Sequence, residues 1–112
     1  MYFGRLTIAT AKEGEKQRVT DILDRLALHY RRQKGSIAQF CFYHNTEDNR
    51  VFKVAVWKSM DMANHAAQDP ESLALRSQLL QFTDGHPEEL ALDMSKGSGL
   101  GVDRAEIVSK GV

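Results

Sequence analysis

Two segments decide the fold: Ser36–His44, SIAQFCFYH, and Arg50–Lys58, RVFKVAVWK. In the first, Ile37, Cys41 and Tyr43 share one side of an extended chain, and Ala38, Phe40 and Phe42 share the other. In the second, Val51, Ala55 and Trp57 alternate with Phe52, Val54 and Val56. The polar run Asn45-Thr46-Glu47-Asp48-Asn49 joins them, so the pair reads as a β-hairpin. Both sides of both strands are mostly apolar. A hairpin of this kind is stable in water only if both of its faces are covered.

Working outward, Phe3–Ala11 alternates with Leu6 and Ile8 on one side and Phe3, Thr7 and Ala9 on the other, a strand closed by the polar turn Lys12-Glu13-Gly14-Glu15. From Lys16 to Gln33 the period becomes helical, with Val19, Ile22, Leu23, Leu26 and Tyr30 on one stripe. Gly35 follows at the end, where a left-handed residue is needed. After the hairpin a short helix spans Met60–Gln68 with Ser59 as its cap. Asp69-Pro70 then starts another helix, Asp69 capping and Pro70 at the first position. Its stripe is Leu75, Leu79 and Phe82, with Leu73 and Leu80 beside it, and Gly85-His86-Pro87 ends it. Glu89–Ser95 alternates again, a fourth strand with Leu90, Leu92 and Met94 on one side.

The order β-α-β-β-α(α)-β predicts an α+β, ferredoxin-like domain over residues 1–95 with a four-stranded antiparallel sheet. Helices connected in this way cover one sheet face. The other apolar face needs a partner, and the simplest is a second copy, giving a homodimer with facing sheets. The glycine-bearing segment 96–112 is expected to be a C-terminal arm that contacts the partner subunit.

Composition narrows the function. With 112 residues there is room for one core. Fifteen basic residues balance fifteen acidic ones, which argues against a nucleic-acid binder or a polybasic membrane anchor. No apolar run is long enough to span a bilayer, and the N-terminal residues lack the pattern of a signal peptide, so a cytoplasmic protein is expected. The single cysteine, Cys41, excludes an internal disulfide and reads as a buried, inert thiol. His29, His44, His65 and His86 are scattered without ligand spacing, so no metal is expected. Gly97, Gly99 and Gly101 do not form a dinucleotide-binding loop.

The passage Val54-Ala55-Val56-Trp57-Lys58-Ser59, then Ala63-Asn64-His65, then Asp69-Pro70-Glu71, resembles the antibiotic biosynthesis monooxygenase superfamily. The Glu-Gly-Glu-Lys turn and Gln33-Lys34-Gly35 before the second strand are similar as well. The resemblance spans about residues 3–95 and implies a dimeric α+β barrel. It also implies a range of activities, among them oxidation of quinols or polycyclic aromatics with dioxygen and no cofactor. The haem-degrading branch has a tryptophan on the short helix, a histidine on the next helix and an asparagine on the first strand. Here the matching stretches are His65-Ala66-Ala67, the region of Arg76, and Arg5-Leu6-Thr7, so all three are missing.

On this basis His65 is the candidate catalytic residue, an imidazole facing the cavity between sheet and helices, with Asp61 one turn earlier to orient it. Trp57, Tyr43 and Arg76 are candidates to line the substrate pocket; for Trp57 and Tyr30 core packing is the competing role, and for Arg76 a surface one. Asn64, about 100° around the helix from His65, is expected to face solvent. Three functions stay open: a cofactor-independent monooxygenase of a small quinol or phenol, a dimeric protein that shelters a small hydrophobic ligand, and a structural, stress-related dimer. A closed apolar pocket is required by the first two and not by the third.

Overall fold

The four strands form one antiparallel sheet in the order β2-β3-β1-β4, with β1 at Tyr2–Thr10, β2 at Ser36–Tyr43, β3 at Arg50–Trp57 and β4 at Glu88–Met94. The computed structural model describes residues 2–43 and 48–94. The expected arm at 96–112 and the hairpin tip at 44–47 lie outside them, as does the side chain of Tyr43. The helices are α1 at Lys16–Arg31, α2 at Met60–Ala67 and α3 at Pro70–Leu80. The chain is thus the expected α+β, ferredoxin-like order, with the second helical position divided in two.

Local chemistry accounts for the breaks. Ser59 Oγ accepts from the Met62 amide at 3.3 Å and starts α2; Asp69 Oδ1 accepts from the Ser72 amide at 2.9 Å and starts α3, with Pro70 in the first turn. Gly35 has φ 89°, and a Cβ there would lie 2.2 Å from Met62 Sδ. Glycine is therefore required twice over, for conformation and for the close approach of α2.

All three helices pack on one sheet face. Val19, Leu23 and Leu26 of α1 and Leu79 of α3 meet Val51, Ala55 and Trp57 of β3 in the core. The α1 stripe is as expected from its period. On α3, however, Leu73 and Leu80 are 52% and 41% exposed, and Phe82 lies beyond the helix. With 11 residues, α3 fully buries one apolar side chain, Leu79, together with the small polar Ser72.

Strand pairing fixes which residues share the covered face. Arg5 opposes Ala55, Thr7 opposes both Lys53 and Glu89, and Lys53 opposes Cys41. Alternation then places Arg5, Thr7, Gln39, Cys41, Lys53 and Glu89 under the helices. The other face carries Leu6, Ile8, Phe40, Phe42, Phe52, Val54, Leu90 and Leu92, and among the described residues no helix lies over it.

Candidate functional site

Between the covered sheet face and the helices lies a cavity of about 260 Å³. Its apolar wall includes Leu23, Leu26, Ala63 and Leu79, and its aromatic wall is Tyr30 and Trp57. The Tyr30 and Trp57 rings meet edge to face, with centroids 5.7 Å apart and planes at 70°. Tyr30 is fixed at its far end by a 2.5 Å hydrogen bond between its hydroxyl and Ser72 Oγ. Ser72 is fully buried on α3, so the bond ties α1 to α3 across one side of the cavity.

The remaining wall is cationic: Arg5, Lys53 and Arg76 all line the cavity, with Glu89 and His86 near them. Lys53 is only 4% exposed, and its ammonium lies 4.8 Å from the centre of the Tyr30 ring. Among the described residues no carboxylate comes within ion-pair distance of it. Burial pushes its pKa down from 10.5 to about 8, helped by the neighbouring charges of Arg5 and Arg76 and opposed by Glu89. Arg76 is paired with Glu89 at 3.5 Å, both half-exposed. Arg5 donates from Nη2 to Asn64 Oδ1 at 2.8 Å and lies 5.2 Å from the Phe3 ring centre.

The structure brings Trp57 and Arg76 together on the cavity wall. It does not bring His65 there. Ala63, Ala66 and Ala67 form the inward side of α2, at i, i+3 and i+4, and this leaves His65 turned outward and exposed. Among the described residues no hydrogen bond joins it to Asp61 either. The expectation of a cavity-facing imidazole at position 65 is therefore corrected. Asn64 is exposed as expected, yet it is tied to the cavity through Arg5. Tyr43 sits on β2 opposite Val51.

Lys53 was the residue that the sequence pattern offered and apolar counting passed over. It lies in phase with Val51, Ala55 and Trp57, so a strand buried on that side must bury the lysine too. Cys41 is half-buried and opposite Lys53; burial, followed by the charge of Asp24, pushes its thiol up to about 12 despite the lysine. It is an inert thiol. Among the described residues no group of three or more His, Cys, Asp or Glu is placed to hold a metal ion.

Solved structures share this architecture along most of its length. SnoaB, a cofactor-independent oxygenase from Streptomyces nogalater, superposes with a TM-score of 0.75 at 18% identity, over 87% of this chain and 96% of SnoaB. A protein from Nitrosomonas europaea, described as a candidate antibiotic biosynthesis monooxygenase, matches at 0.78 and 9% identity, over 85% and 91% of the two chains. The protein chain has the antibiotic biosynthesis monooxygenase fold. Rv0793 from Mycobacterium tuberculosis shares it, at a TM-score of 0.77 and 11% identity over 88% of this chain and 99% of that one. No family model and no curated protein matches the sequence. At these identities the fold is common property, and the chemistry has to be argued from the cavity.

Proposed function

We propose that this protein is a cofactor-independent monooxygenase of a small hydroxylated aromatic, a quinol or phenol, bound in the cavity under α1, α2 and α3. The observation that carries this reading is Lys53: a buried amine with no carboxylate partner among the described residues, beside Tyr30 and Trp57. Its lowered pKa leaves about a tenth of the amines uncharged at pH 7, enough for it to act as a general base. The role first expected of His65 thus passes to Lys53. The likeness in fold to SnoaB supports the oxygenase class.

In this mechanism the substrate hydroxyl gives its proton to the Lys53 amine, and the anion formed is held by the Lys53 ammonium and Arg76. The electron-rich ring passes one electron to dioxygen, and the two radicals combine to form a carbon–oxygen bond. The resulting peroxide anion takes a proton from the Lys53 ammonium to become a hydroperoxide, which loses the hydrogen of the same ring carbon as its O–O bond breaks and so eliminates water. One oxygen atom stays as the quinone carbonyl and the other leaves in water. Trp57 and Arg76 contact the substrate, Trp57 against its ring and Arg76 against the developing negative charge.

The partner in this reading is a second copy. Phe40, Phe42, Leu90 and Leu92 are 44–50% exposed on a face that the helices leave bare, and a facing sheet of the same kind covers it by symmetry. A ligand-sheltering protein would use the same cavity. The structural dimer is disfavoured, because it has no need of an open cavity with a buried lysine on its wall.

Oxygen consumption tests the proposal. Purified wild type and Lys53→Met are supplied with a panel of quinols and hydroxylated aromatics, without added flavin or metal. Uptake by wild type that falls at least about 100-fold in Lys53→Met is the expected result, in the range for loss of a general base. Equal uptake in both proteins overturns the assignment of Lys53, and no uptake favours the ligand-sheltering protein.

A further inference from the structure

We propose that the aromatic taken by this cavity carries a carboxylate beside its hydroxyl group, and that Arg5 is the residue that binds the carboxylate; this rests on the cavity being an aromatic site, as argued above. The charges around the cavity do not balance. Arg76 already has Glu89 at 3.5 Å. Arg5 has the neutral amide of Asn64 at 2.8 Å, and among the described residues no carboxylate pairs with it. An arginine paired with an amide keeps its full charge and most of its donors for a ligand, and a planar guanidinium matches a carboxylate in two parallel hydrogen bonds.

Position supports the same assignment. Arg5 opposes Ala55, and Lys53 is two residues along β3, so the two cations leave the sheet from diagonal positions on neighbouring strands, about 7–8 Å apart at Cα. One ring bearing an acid and a hydroxyl can then meet both. Arg5 does not wander: Asn64 of α2 holds one arm of its fork while the Phe3 ring lies under it. Asn64 is thereby a positioning residue, fixing the guanidinium without touching the ligand itself. Size limits the rest of the molecule. An apolar cavity of about 150 Å³ holds benzene, so 260 Å³ suits one ring or two fused rings and is too small for four.

The test compares 1-hydroxy-2-naphthoate with 1-naphthol, which share ring and hydroxyl and differ by the carboxylate, by calorimetric titration of the full chain. The acid is expected to bind at least about tenfold more tightly. Arg5→Met should erase that preference while leaving naphthol affinity within about twofold. Asn64→Ala, at an exposed position that does not endanger folding, should reduce the preference part of the way. Equal affinities in wild type, or a preference that survives in Arg5→Met, overturn the carboxylate assignment while naphthol binding still upholds the aromatic cavity. Binding of neither compound removes both.

Discussion

The two faces of this sheet are built by the same four strands and have opposite characters. Usually the face under the helices is apolar and the open face polar. Here the covered face carries Arg5, Thr7, Gln39, Lys53 and Glu89 among its core residues, whereas the open face shows Leu6, Ile8, Phe40, Phe42, Val54, Leu90 and Leu92. Stability of a lone chain would favour the reverse pattern, because a buried amine costs free energy and an exposed phenylalanine gains none. In the proposed reading, the polar groups set among the apolar core residues of the inner face answer to a ligand, and the apolar outer face to another sheet.

The largest effect is expected on the open face. Phe40→Asp together with Leu92→Asp places a carboxylate near each edge of the apolar surface, and the two-fold repeat doubles the number. Desolvating unpaired charges costs several kcal/mol per group, more than a dimer of small sheets can absorb. Sedimentation should move from twice the protomer mass to the protomer mass, with the helical circular dichroism retained. A wild type that sediments as a folded monomer at micromolar concentration would break the comparison at its root, since the bare face would then be stable in water.

The covered face gives the second test. Removing the Lys53 charge in Lys53→Met should stabilise the fold at pH 7 by on the order of 3 kcal/mol, even as it abolishes the proposed activity. The sign follows from the depressed pKa. Below about pH 8 the native lysine is charged and buried, and its full cost is present. Between about 8 and the unfolded value of 10.5 the unfolded chain binds more protons than the native one, so wild-type stability rises with pH. Urea midpoints of wild type and variant should therefore converge as pH climbs from 7 towards 10.5. A constant gap would mean that methionine merely packs better, and a destabilised variant would mean that the amine has a stabilising partner.

What the sequence made legible was whatever depends on period. Alternation in the hairpin and the stripe of α1 gave the element order, the shared faces and the capping of α2 and α3, because each rests on neighbours a few residues apart. The cavity depends on how far short helices stand from the sheet, a property of side-chain volumes from distant segments. No local pattern reports it. Lys53 was legible in principle: its position in the alternation with Val51, Ala55 and Trp57 fixed its side, but a tally of apolar residues is blind to a charged one in phase. Arg5 and its link to Asn64, 59 residues away, required the fold.

The smallest effect should come from His65, and it separates position on a helix from position in a site. A histidine shortly after a strand that ends in tryptophan attracts attention, yet the inward side of α2 is already taken by Ala63, Ala66 and Ala67. Small side chains there let the helix sit close to the sheet, and a bulky ring turned inward would push it away. The imidazole consequently faces outward, where loss of a side chain changes stability by at most about 0.5 kcal/mol. His65→Ala should keep its urea midpoint and its oxygen uptake close to wild type, under the conditions in which Lys53→Met loses activity. A large drop in uptake with unchanged stability would place the proton-handling group on the outer side of α2, and the inner wall of the cavity would then serve binding alone.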